Sequence, residues 1–203
     1  MSPSEPQLRP VGLSLVLVAL GLIGFFAAFA LTLDKFTLLE NPDAQLSCNF
    51  SVLLGCSSNL NSPQGEILGF PNSLLGLVFW SAVITVGVAI LAGASFVRWF
   101  WILFALGVAS SFVFVVWFIV QSVFVLRVLC PWCMVTWAVT IPLFLVVTLH
   151  TMRSGALGVP TPLRRAAAAG YAWIPLTTVL CYLVVAALAQ WQLDVLGQFI
   201  GLA

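Results

Sequence analysis

The sequence predicts an all-α integral membrane protein with five spanning helices and one long loop outside the bilayer. Three observations carry this. Hydrophobic residues make up 62% of the 203-residue chain and charged residues only 6%, whereas a soluble domain has about a quarter of its residues charged. Uncharged apolar runs recur at the length of about 20 residues that a membrane crossing needs. The few charges punctuate the ends of those runs instead of spreading through them. A net charge of +1 gives no basis for nucleic-acid binding, and the close succession of runs leaves no room for a second soluble domain.

The first span is expected over 11–33, VGLSLVLVALGLIGFFAAFALTL, ending at Asp34-Lys35. Its flank, MSPSEPQLRP, holds one Arg, and no small-residue cleavage site follows a short apolar core, so it reads as a retained helix and not a signal peptide. Gly12, Gly21 and Gly24 suit close helix packing. The second span is expected over 73–97, stopping at Arg98, and the third over 100–126, stopping at Arg127. The aromatic stretch FVRWFWILF at 96–104 reads as an interfacial belt. The fourth span is expected over 130–149, followed by His150 and Arg153, two groups that suit a helix C-terminus. The fifth is expected over 172–193, before Asp194. Segment 151–171, rich in Pro, Gly and Ala, reads as a plain connector.

Five spans put the termini on opposite sides. With the N-terminus in the cytoplasm, Arg9, Arg98, Arg153, Arg164 and Arg165 fall inside, and Lys35 and Arg127 outside, which satisfies the positive-inside bias. Loop 34–72 is then extracytoplasmic. It is far longer than an ordinary helix connection, and its apolar residues Leu53, Leu54, Leu60, Ile67 and Phe70 predict that it folds back onto the bundle.

In this topology Cys48 and Cys56 lie in the outer loop, and Cys130 and Cys133 at the outer end of the fourth span, within RVLCPWCMVTW. All four are on the side where disulfides persist. The thiolate is the reactive species, and a CxxC spacing, a helix N-terminus and nearby cations all favour it. Pro131 suits the first helical position, and Arg127 lies about a turn away. A structural staple is the weaker reading, because so short a ring restricts an unfolded chain poorly. Attachment of c-type haem needs CxxCH, and Met134 follows here. A tetrathiolate zinc site would want tighter knuckle spacing than that from Cys48 to Cys56. Cys181, alone in mid-span, reads as a small hydrophobe. Two dithiol pairs suggest a relay through a mixed disulfide: a wet loop pair facing a soluble protein, and a pair at the bilayer edge facing a lipid-soluble acceptor of two electrons. A quinone has that chemistry. The alternative is a membrane scaffold with two structural disulfides and no catalysis.

The joint pattern Cys48-x7-Cys56, S-x-N-x-N-S-P-x-G, FPNSLLG and Cys130-Pro-Trp-Cys133 resembles the bacterial homologues of vitamin K epoxide reductase, over about residues 10 to 195. The resemblance implies a four-helix bundle core around a quinone (menaquinone or ubiquinone) in the bacterial cytoplasmic (inner) membrane, with a fifth helix added. In some members that helix leads to a fused thioredoxin-like domain. Here the chain ends at Ala203, so the expected partner is a separate thioredoxin-like dithiol protein that oxidises exported proteins. By the same resemblance, Cys48 receives electrons from the partner, Cys56 exchanges with the CxxC, Cys130 forms the mixed disulfide with Cys56, and Cys133 faces the quinone. Ser62 matches a serine near the active site, and Asn72 an asparagine that hydrogen-bonds a quinone carbonyl. Trp137 stands where the vertebrate enzymes have tyrosine, a departure that replaces a hydroxyl donor with an indole N–H.

The residues have their own local readings as well. Cys133 and Trp137 share a helix face at i, i+4. Asn72 suits a helix N-cap, Ser62 suits turn chemistry within NSPQG, and Trp137 suits an interfacial aromatic.

Overall fold

The computed structural model describes residues 11–51 and 53–200, the last three by backbone alone; Arg9 and the N-terminal flank lie outside these residues. Five helical segments are long and apolar enough to cross a membrane: Val11–Glu40, Asn72–Leu91, Arg98–Leu126, Pro131–Arg153 and Thr161–Leu193. The chain is a multi-pass membrane protein, and its surface agrees. Phe26, Val113, Leu183 and Trp191 point outward, Trp191 with 77% of its surface exposed, which only a lipid solvent makes favourable.

Helix α1 (Val11–Glu40) buries a stripe of Leu13, Leu17, Gly21, Gly24, Ala28, Leu31, Lys35 and Leu38, the three-to-four-residue spacing of one helix face. It packs along α3 (Asn72–Leu91) through small residues. A Cβ on Gly24 would run into the Trp80 indole, and one on Gly21 would lie 2.7 Å from Ile84. Gly12 has open space and takes no part. Between them the loop carries a one-turn helix, α2 (Ser57–Leu60).

Helix α4 (Arg98–Val120) runs into a π-helical turn at Gln121–Leu126 and ends with Arg127 in the left-handed conformation, φ 54°. Helix α5 (Pro131–Arg153) returns beside it, with Phe112 and Phe144 stacked at 4.2 Å. Pro142 inside α5 removes an N–H and so leaves the Ala138 carbonyl without its helical donor. Tyr182 supplies one: its hydroxyl donates to Ala138 O from the neighbouring helix α7 (Ile174–Leu193). That bond, with Tyr171 Oη donating to Val146 O at 3.1 Å, docks the fifth span onto α5. A short helix, α8 (Val195–Ile200), follows.

Three boundaries differ from the sequence expectation. The first helix does not stop at Asp34-Lys35 but continues to Glu40, because Lys35 is on the buried face and finds partners there. The second ends at Leu91, and Gly93 (φ 98°) turns the chain before Arg98. Segment 151–171 is not a plain connector. Its second half forms helix α6 (Thr161–Gly170), which meets α7 through the turn Tyr171–Trp173. Pro162 sits in the first turn and a run of alanines follows, which together start and sustain a helix. At this end of the bundle Arg98 donates to Ala156 O, and Arg164 to Arg153 O at 3.3 Å. The guanidinium of Arg153 lies 4.8 Å from the centre of the Tyr171 ring.

Candidate functional site: four sulfurs above an apolar cavity

The loop pair is joined. Cys48 and Cys56 form a disulfide with their Cα atoms 5.8 Å apart. Asn49 makes the fold that brings them together. Its Oδ1 accepts from the backbone N–H of Cys56 at 2.9 Å and of Ser57 at 3.3 Å, and its Nδ2 donates to Ser57 Oγ at 2.7 Å. Asn49 thereby caps α2 from a distance, since Cys56 at the N-cap position makes no side-chain bond of that kind.

A short stretch of backbone pairing then brings the loop to the other two cysteines. Leu54 and Leu129 form an isolated parallel bridge, in which Leu129 N–H donates to Leu53 O at 2.8 Å and Gly55 N–H to Leu129 O at 3.1 Å. The chains leave the bridge side by side, through Gly55 to Cys56 and directly to Cys130. The Cys56 and Cys130 sulfurs end 3.4 Å apart.

Cys130 is the N-cap of α5, and Pro131 opens the helix as its spacing predicts. The Cys130 sulfur accepts the backbone N–H of Cys133 at 3.3 Å, the place a capping oxygen usually fills. Cys130 and Cys133 are both free thiols. All four site cysteines are buried, Cys56 and Cys130 completely. Cys181 is also free but lies apart from them, half-buried on α7.

Polar groups surround the sulfurs. Asp34 Oδ2 lies 3.3 Å from the Cys48 sulfur. The ligand atoms of Asp34, Cys48 and Cys56 all fall within 4.8 Å of one another, but while the two sulfurs share a bond they offer no thiolate pair to a metal. Beneath them, Asn59 Nδ2 donates to Ser122 Oγ at 3.2 Å, and Ser122 Oγ donates to Val128 O at 2.7 Å. The Asn59 Oδ1 is buried without a protein partner. Lys35 fastens the loop to α1. Its Nζ donates to Leu60 O at 2.8 Å and pairs with Glu66 Oε1 at 2.8 Å.

The residues singled out from the sequence separate into two groups. Ser62 belongs to the loop: its Oγ donates to Asn59 O at 2.7 Å and accepts from Gly65 N–H at 3.2 Å, so it performs the turn chemistry read from NSPQG. Asn72 opens α3. Its Nδ2 donates to Gln64 O at 2.6 Å, and its Oδ1 accepts from Ile67 N–H at 3.2 Å, tying the end of the loop to the helix. Asn72 also lines a cavity of about 570 Å³, together with Cys133, Trp137, Trp80, Phe79, Phe114 and Phe118. The cavity lies among α1, α3, α4 and α5, and Cys133 joins it to the sulfur cluster.

Asn49, Asn59, Lys35 and Ser122 are functional neighbours that the sequence did not single out. Asn49, beside Cys48 in a turn-rich stretch, carried the one usable signal, since asparagine favours such local caps. The others are defined by partners distant in the chain.

No curated protein matches the sequence. With residues 15–148 matched by the model of the vitamin K epoxide reductase family, a stretch that contains all four cysteines of the site, the chain belongs to that family of membrane thiol–disulfide oxidoreductases.

Proposed function

We propose that this protein is a thiol:quinone oxidoreductase of the bacterial cytoplasmic membrane. It reoxidises a separate thioredoxin-like dithiol protein on the extracytoplasmic side and so supports disulfide formation in exported proteins. The single observation that carries the reading is the 3.4 Å approach of the Cys56 and Cys130 sulfurs, which links a loop disulfide to a helix dithiol whose second member, Cys133, lines an apolar cavity.

The steps follow from the chemistry of exchange, in which a thiolate attacks one sulfur of a disulfide and expels the other. The partner's dithiol gives its electron pair to Cys48–Cys56 and leaves oxidised, with both loop cysteines reduced. The Cys56 thiolate then attacks Cys130 of an oxidised Cys130–Cys133 pair, forming a Cys56–Cys130 bond and releasing Cys133. Attack by Cys48 on Cys56 restores the loop disulfide and releases Cys130. The pair of electrons and the two protons now reside on Cys130 and Cys133.

A quinone, menaquinone or ubiquinone, accepts two electrons and two protons and so closes the cycle. The cavity suits such a group. Its volume is in the usual range for a small-molecule site, its walls are largely aromatic and aliphatic, and a few polar side chains reach it. Trp137, one turn below Cys133, supplies a flat wall for a ring. Asn72 has one amide N–H beyond the one it gives to Gln64 O, available to a ring carbonyl.

Purified protein given a dithiol donor and a soluble quinone analogue is expected to form quinol, followed by absorbance. Cys133→Ala is expected to abolish it, and full activity in that variant would defeat the scheme.

A further inference from the structure

The cavity contains a hydroxyl that nothing in the protein satisfies. Ser73 is the second residue of α3 and lines the cavity. It is only 9% exposed, and its Oγ is buried without a hydrogen-bond partner. The reason is positional. A serine or threonine within a helix usually donates to a carbonyl three or four residues earlier, as Ser81 does to Leu77 O and Thr85 to Ser81 O, both at 2.7 Å. For Ser73 those carbonyls belong to Phe70 and Gly69, which precede the helix.

The other hydroxyls of the cavity serve a quinone less well. A quinone carbonyl only accepts, so it needs a donor. Thr136 has given its proton to Cys133 O and Thr140 its proton to Thr136 O, each at 2.7 Å. Ser110 and Ser111 lie about 15 Å further along α4 from its Val120 end, by helix rise, and so face the deeper part of the cavity. Ser73 is in the first turn of α3, at the same end of the bundle as Cys133 in the first turn of α5.

We propose that the Ser73 hydroxyl donates a hydrogen bond to a ring carbonyl oxygen of the quinone, beside the remaining N–H of Asn72, and holds the ring against Cys133. The inference rests on the quinone reading above. It makes Ser73 a binding residue whose effect grows during the reaction. As electrons enter the ring, negative charge gathers on that oxygen, and a hydrogen bond to a charged acceptor is about twice as strong as one to a neutral acceptor.

The test uses the full chain in detergent or nanodiscs with menadione carrying carbon-13 at its ring carbonyls. Infrared difference spectra report the carbonyl stretch, and equilibrium dialysis reports affinity. In the wild type one carbonyl band is expected below its position in free menadione. Ser73→Ala, which removes a group without a protein partner and leaves the fold intact, is expected to move that band part of the way back, with Asn72 still donating, and to weaken binding about three- to tenfold. Ser73→Thr, which keeps the hydroxyl, is expected to retain both. A band that keeps its wild-type position in Ser73→Ala overturns the inference whatever the affinity does. A wild type that binds no menadione overturns the quinone reading with it, so the two failures are distinct.

Discussion

The two cysteine pairs share one buried cluster but differ in what is added to it. Cys48 and Cys56 are in a loop that buries Leu46 and Leu60 against the bundle and is further fastened by directed polar contacts: the Asn49 side chain, the Leu54–Leu129 bridge and the Lys35–Glu66 pair. Cys130 and Cys133 begin a helix packed by apolar side chains, above a cavity walled by Trp80, Phe114, Phe118 and Trp137. Each suits the task proposed for it. Exchange with a protein partner would require sulfurs to be uncovered, and both loop sulfurs belong to buried residues. A loop with little regular structure and few buried apolar side chains opens at lower local cost than a packed helix. A flat electron acceptor instead requires walls already in place, and close-packed aromatic and aliphatic side chains provide them.

The comparison can be broken most sharply at Cys48. Cys48→Ala is expected to abolish turnover of a protein dithiol while sparing some activity with a small dithiol that reaches the inner pair directly. Equal loss with both donors would erase the division between the halves. Lys35→Met comes next. It removes the charged hydrogen bond to Leu60 O and the pair with Glu66 while keeping most of the apolar stem. At about 1.5–3 kcal/mol for a bond to a charged group, reduction of Cys48–Cys56 by a small thiol is expected to speed up about tenfold or more, measured by alkylation and mass. An unchanged rate would mean that the loop is not held by its polar contacts.

Gly24→Leu probes the other half. A side chain there meets the Trp80 indole, and overpacking costs about 1–3 kcal/mol. The expected result is a lower unfolding temperature in detergent with unchanged reactivity of the loop disulfide. The smallest effect is expected for Asn49→Ala. Loss of a cap costs about 1 kcal/mol, seen as a roughly fivefold faster reduction of the loop disulfide without a change in quinone binding.

The five spans were legible because hydropathy is a property of each segment alone. So was the position of the CxxC: Pro131 at the first helical position marks where α5 starts, and the 3.6-residue repeat then puts Cys133 and Trp137 on one face. The turn role of Ser62 was likewise written in the five residues around it. In the last two cases the deciding interactions span about one helical turn.

What the tertiary structure alone decided are the encounters between distant segments. Cys56 and Cys130, 74 positions apart in the chain, are brought together by the Leu54–Leu129 bridge, whose register no local pattern encodes. Lys35 reads locally as the charge that ends a span. Within the bundle it is a buried anchor, because Leu60 O and Glu66 arrive to satisfy it. The Tyr182 bond to Ala138 O and the unsatisfied Ser73 hydroxyl have the same origin. A buried polar atom's partner is settled only when the chain closes around it, so local sequence specified the helices and their chemistry, and packing specified which groups meet.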